Sequence, residues 1–222
     1  MSKVFQQKQS DWEKQAQSSE DPGAQVGRPN QNSEFSHLLE RLKQQLDLQD
    51  TDTILDVGCG NGFLLEHLAP RNALAGVDYA EQMINLANSR LQGDFRVASA
   101  DQLPFENEQF DKVLCYSILH YMQGETMGQK VLEECIRVTK KGGVIFIGDI
   151  LDQTEENRIK SSSDLEYEKK IPLIHRYSSW QFYDLETLKQ VALQYGCKAE
   201  IVNQPETFKL SNYRKDLRIK KL

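Results

Sequence analysis

Apolar residues fall along the chain in two alternating rhythms. In the first they form short solid runs: Thr53-Ile54-Leu55-Asp56-Val57, Ala73-Leu74-Ala75-Gly76-Val77-Asp78, Phe95-Arg96-Val97-Ala98, Phe110 to Tyr116 and Val144 to Ile150. Runs this short, without polar alternation, read as strands covered on both faces. In the second rhythm they return every three or four residues, at Phe35, Leu38, Leu39, Leu42 and Leu46, and again at Leu64, Leu65 and Leu68. The same spacing recurs at Met83, Ile84, Leu86 and Ala87, at Val131, Leu132, Cys135, Ile136 and Val138, and at Leu185, Leu188, Val191, Ala192 and Tyr195. These are amphipathic helices. Ser33 is placed to cap the first, Pro70 helps to end the second, Lys140-Lys141-Gly142-Gly143 ends the fourth and Gly196 closes the last. Strand and helix in alternation predict an α/β fold. Residues 199–202 and about 213–219 read as a final antiparallel pair. The last strand, with Leu217 and Ile219 among Arg214, Lys215, Arg218, Lys220 and Lys221, reads as a solvated edge.

Two stretches break the rhythm. Residues 1–33 are rich in Gln, Ser, Asp and Lys and interrupted by Pro22, Gly23, Gly27 and Pro29. So little apolar surface predicts a flexible segment. Residues 151–184 are charged at first and then gather His175, Arg176, Tyr177 and Trp180. The domain proper is expected over 34–222.

Chemistry enters at the end of the first strand, where Asp56-Val57-Gly58-Cys59-Gly60-Asn61-Gly62-Phe63 leads into a helix. Glycine serves where the backbone turns with positive φ or a ligand approaches it closely. A nicotinamide dinucleotide site would want Gly-x-Gly-x-x-Gly. Here position 63 is Phe, and the acid at 56 opposes a pyrophosphate and suits a cation. The stretch resembles motif I of the class I S-adenosylmethionine (SAM) dependent methyltransferases, and the resemblance runs with specific motifs over about residues 50–150. It implies a Rossmann-like, seven-stranded, mostly parallel sheet with a C-terminal antiparallel hairpin and helices on both faces. It implies SAM as cofactor and methyl transfer to a small-molecule acceptor.

On that resemblance, Asp56, Gly58, Cys59, Gly60, Asn61 and Gly62 form the cofactor corner. Asp78 holds the ribose, which a carboxylate does by accepting from a vicinal diol. Tyr79 and Met83 lie beside it. Ala100, Asp101 and Gln102 face the adenine, and Cys115 and Tyr116 end the fourth strand against the cofactor. The N-terminal segment covers the site, with Arg28 either pairing with the cofactor carboxylate or standing as a solvated charge. Residues 151–184 form an acceptor lid. His120, Tyr121, Asp149, His175, Tyr177 and Trp180 are the candidate substrate contacts. His120 is also the candidate general base, needed only if the acceptor loses a proton as it attacks; otherwise it is a packing residue.

Composition narrows the alternatives. The chain has 222 residues and a formal net charge of −6, which argues against a nucleic-acid partner. No apolar stretch is long enough for a membrane span. The four cysteines, Cys59, Cys115, Cys135 and Cys197, are too far apart for a zinc site and read as reduced thiols in a cytoplasmic protein. No metal is expected, and the protein is expected as a monomer or homodimer. Cys115-Tyr116-Ser117-Ile118 lacks the Asn/Asp-Pro-Pro-aromatic signature of base-methylating enzymes. A SAM-binding sensor without catalysis is the competing reading.

Overall fold

The computed structural model describes residues 2–28, 33–69 and 71–222. Seven strands form one sheet: β1 (Thr53–Val57), β2 (Ala73–Asp78), β3 (Asp94–Val97), β4 (Phe110–Tyr116), β5 (Thr139–Leu151), β6 (Cys197–Asn203) and β7 (Arg214–Lys221). Their order is β3-β2-β1-β4-β5-β7-β6. The first five are parallel, and β7 runs antiparallel to both β5 and β6. The expected sheet is the observed one.

The helices are α1 (Lys3–Ala16), α2 (Pro22–Gln25), α3 (Ser33–Leu46), α4 (Phe63–Leu68), α5 (Glu81–Arg90), α6 (Glu125–Val138), α7 (Glu156–Ser161), α8 (Leu165–Glu168) and α9 (Leu185–Gln194). Successive strand residues face opposite ways, so one strand feeds two cores. Leu55, Val57, Val113, Cys115, Ile145 and Ile147 pack under α6 and α9. Ile54, Leu114, Val144 and Phe146 pack under α3, α4 and α5. Every one of these side chains is fully buried.

The structure departs from the sequence reading at four places. Residues 3–16, expected to be flexible, form a helix; it docks through a few apolar side chains, Phe5, Trp12 and Ala16, and through polar ones that hydrophobic content does not reveal. The segment Lys140–Gly143 does not cap α6. The helix stops at Val138, Thr139 pairs at once with Phe110, and the strand shifts register before Val144 pairs with Lys112. Gly142, at φ +75°, turns the chain there, and Lys140 Nζ bonds Asp111 Oδ2 at 2.9 Å. The last strand is not an edge: β7 lies inside the sheet, with Arg214 and Asp216 buried. Finally, α3 starts at Ser33 itself, so its cap position falls, with Pro29 and Pro70, outside the described residues. Among the described residues no helix is long and apolar enough to cross a membrane.

Candidate active site

The carboxyl ends of β1, β2, β4 and β5 open on one cavity of about 560 Å³. Such ends are where an open α/β sheet leaves a crevice. After Val57 the chain turns through Gly58, Gly60 and Gly62, all at positive φ (+82°, +53° and +78°). A Cβ on Gly58 would sit 2.4 Å from Ile118 Cγ2. The N–H groups of Gly58 and Cys59 both donate to Val77 O, at 2.7 and 2.9 Å, clasping the corner against β2.

Two acids flank the corner. Asp78 Oδ2 accepts from the Gly60 N–H at 3.0 Å and Oδ1 from the Ala80 N–H at 2.9 Å. Burial outweighs these bonds and pushes its pKa up to about 6. Asp56 is 2% exposed and accepts no side-chain hydrogen bond from a described residue. Burial first, then the charge of Asp78, push it up to about 7, against the opposing pull of Arg28. The Cys59 thiol is pushed up by burial and by both carboxylates, so it is no nucleophile. Arg28 stacks its guanidinium over the Tyr116 ring, 5.2 Å from the centroid.

Arg28, Asp56, Gly58, Cys59, Gly60, Asp78, Tyr79, Met83, Ala100 and Tyr116 line the cavity, as do His120, Tyr121, Asp149, His175 and Trp180. Six expected residues do not. Asn61 is turned inward: its Nδ2 donates to Pro22 O at 2.9 Å and Gln25 Oε1 at 2.7 Å, tying α2 to the glycine turn. Gly62 starts α4 against Leu91, whose Cδ1 lies 2.6 Å from where a Cβ would be. Asp101 takes the Ser99 hydroxyl, so Ser99 and Ala100 form the wall in its place. Gln102 points to solvent. Cys115, by strand parity, faces the core under α6, while Tyr116 faces the cavity. Tyr177 lies behind Trp180, edge-on at 4.5 Å, and is 38% exposed.

The far end of the cavity is assembled from distant segments. Ser117 and Asp149, at the ends of β4 and β5, both have positive φ (+62° and +66°). At Asp149 the pairing of β5 with β7 shifts register between Ile147 and Ile150, and this irregularity turns the side chain to the cavity. Its carboxylate accepts from Ser117 Oγ, from Arg214 Nη1 and from Gln204 Nε2, the last at 3.3 Å. Its own N–H donates to Asp216 Oδ1 at 2.9 Å, and Asp216 is paired with Arg41 at 2.7 Å. Burial raises the Asp149 pKa, but Arg214 and the Ser117 hydroxyl outweigh it and hold the carboxyl below its usual value. His120 is 2% exposed. Burial, then the charge of Arg214, push its pKa down to about 3, so the imidazole is neutral. Ser117, Gln204 and Arg214 escaped the sequence reading. The signal was an alternation of opposite charges, Arg214, Asp216 and Arg218, on one side of β7.

The cover is α1, with Phe5 and Trp12 on the cavity wall. It is held by polar groups reaching for backbone. Lys8, 2% exposed, donates to Tyr121 O at 3.1 Å and Ser179 O at 3.2 Å, and burial pushes its pKa down to about 8. Gln9 Nε2 donates to Tyr79 O at 2.7 Å, and Asp11 Oδ2 accepts from the Leu173 N–H at 2.6 Å. Trp12 meets Tyr121 edge-on at 5.6 Å.

A corner that turns at three glycines and carries two under-compensated acids fits a cationic nucleoside: a cation lowers both raised pKa values, and Asp78 keeps lone pairs for a diol. The comparisons agree. Residues 55–147 match the family model described as a methyltransferase domain. Among curated proteins it is similar to the 27-O-demethylrifamycin SV methyltransferase of Amycolatopsis mediterranei, 32% identical over 125 residues, covering 52% of this chain and 45% of that one. It is also similar to the tRNA (carboxymethyluridine(34)-5-O)-methyltransferase of Arabidopsis thaliana, 35% identical over 100 residues, covering 45% of this chain and 24% of that one. The chain thus spans less than half the length of either relative. In fold it resembles the N-methyltransferase NodS of Bradyrhizobium japonicum WM9 in complex with S-adenosyl-L-homocysteine, with a TM-score of 0.70, 17% identity and 99% coverage of both chains.

Proposed function

We propose that the protein transfers a methyl group from SAM to a small-molecule acceptor bound in the same cavity. The observation that carries this is the glycine corner with its two acids, Asp56 buried and Asp78 half-buried, opening into a chamber roofed by α1 and by residues 173–180. A roofed chamber suits a small molecule better than a folded RNA, and the negative net charge lacks a basic footprint.

In this reading Asp78 accepts from the ribose hydroxyls and Asp56 faces the cationic amino-acid end. Tyr79, Met83 and Ala100 wall the base, and Arg28 stands ready for the carboxylate. When bound, SAM supplies an electrophilic methyl on a sulfonium. The protein's task is then alignment and exclusion of water. Tyr116, His120 and Trp180 shape the space where the acceptor lies. His120, held neutral, offers a hydrogen bond rather than a strong base.

Calorimetry with S-adenosylhomocysteine and transfer of labelled methyl from SAM into a metabolite extract test the proposal. Binding together with a labelled small molecule is the expected result. Binding without any labelled product favours a sensor. Label entering tRNA instead favours the activity named for the Arabidopsis relative.

A further inference from the structure

The acceptor end holds two buried nitrogens that no described residue satisfies, Arg214 Nε and His120 Nδ1. Both side chains pack on one indole: Trp180 lies 5.0 Å from the His120 ring and 5.5 Å from the Arg214 guanidinium. Buried polar groups are nearly always paired, and an unpaired N–H on a charged group is the more costly kind. The chain cannot supply the missing acceptor from Asp149. That carboxylate already takes Arg214 Nη1, the Ser117 hydroxyl and Gln204. Tyr213 stands on the other side, its ring 5.3 Å from the guanidinium and its hydroxyl interacting with the Arg214 side chain, yet Nε keeps no partner among the described residues.

Resting on the methyl-transfer reading of the cavity, we propose that the acceptor molecule bears a carboxylate and that Arg214 is the residue that receives it. A guanidinium is a planar fork whose donors match two carboxylate oxygens, a match that a hydroxyl or an amide oxygen does not provide. At the acceptor end Asp149 is paired with Arg214. A monoanion fits better than a phosphate dianion, because Arg214 already shares its charge with Asp149. A carboxylate also arrives ionised at neutral pH, so the neutral His120 need not remove a proton from it.

The test starts with the protein's affinity for S-adenosylhomocysteine. No binding overturns the methyl-transfer reading, and this proposal falls with it. The protein saturated with S-adenosylhomocysteine is then titrated, by ligand-observed NMR, with phenylacetate, cinnamate and hexanoate, with the primary amide of each, and with phenyl phosphate. At least one acid is expected to bind tenfold or more tightly than its amide. Arg214→Lys keeps the charge but loses the fork, and should weaken that acid tenfold while leaving the S-adenosylhomocysteine affinity within twofold. Acids no better than their amides, phenyl phosphate tighter than every acid, or undiminished acid binding by Arg214→Lys would each overturn the proposal alone. The acid–amide comparison in the unaltered protein stands whether or not the variant folds.

Discussion

The two ends of the cavity solve one backbone problem with different residues. At the cofactor corner the chain takes positive φ three times within five residues, each time at glycine, where it costs little. At the acceptor end it takes positive φ at Ser117 and Asp149, where a side chain makes the conformation cost about 1–2 kcal/mol each. That strain is held by the bond between the two side chains and by Arg214 and Asp216 behind them. The first end is shaped mainly by the backbone, with Asp78 and Asn61 holding the turn from either side. The second depends on a network reaching from α3 to β7, so its geometry belongs to the whole fold.

The sharpest way to break this contrast is at glycines of the same turn. Gly58→Ala adds a methyl 2.4 Å from Ile118 Cγ2, on the cavity wall, at φ +82°. S-adenosylhomocysteine affinity should fall by at least tenfold, an outcome calorimetry reads directly. Gly62→Ala has nearly the same strain, but its methyl meets Leu91, behind the turn. It should cost about 1–2 kcal/mol of stability with affinity kept within threefold. Equal affinity losses in the two variants would mean that the corner acts only through the stability of the turn.

Asp56→Asn separates charge from shape. The folded protein keeps a proton on Asp56 up to about pH 7, whereas the unfolded chain gives it up near 4. Between those values the unfolded state binds fewer protons, so this residue lowers stability as pH rises. Asparagine should therefore raise the Tm of the ligand-free protein at pH 8, by about 2–4 °C for each kcal/mol recovered. The same change should weaken SAM. In the native protein SAM affinity should climb from pH 5.5 to 8 with release of protons, detectable in buffers of different ionisation enthalpy. A flat profile there, or an unchanged Tm, would remove Asp56 from the cation's surroundings.

The contrast also explains what could be read from the sequence. The place of Asp56, Gly58, Gly60 and Asp78 on the cavity wall is written in neighbouring letters, because two strand ends and two turns set it. Strand runs of Val, Ile and Leu gave the sheet for the same reason. Cys115 and Tyr116 are adjacent in sequence yet belong to different faces, and only the register decides which one meets the cavity. Arg214 looked like one cation among several on a solvated strand. Its burial follows from β7 inserting between β5 and β6, a fact of topology that no local pattern states. Helix α1 was missed because its apolar contacts are few, Phe5, Trp12 and Ala16, and the rest are polar hooks on backbone groups.

Those hooks supply the smallest test. Helix α5 starts at Glu81 after Ala80, which has no side chain to cap it. Glu13 of α1 does so from across the cavity rim, its Oε1 accepting from the Glu81 N–H at 2.6 Å and its Oε2 from the Gln82 N–H at 3.0 Å. The cap joins the cover to the element that follows Asp78, so loosening α1 is felt first at the cofactor end. Glu13→Gln removes the charge from a helix N-terminus but leaves one acceptor oxygen, which should cost about 0.3–1 kcal/mol. Hydrogen exchange should then quicken across residues 5–16 while the amides of β1 and β4 keep their protection, and S-adenosylhomocysteine affinity should drop by less than about fivefold. If exchange in α1 stays as slow as before, the cover is fastened by Lys8 and Asp11 on the acceptor side, and the cofactor end does not control its own roof.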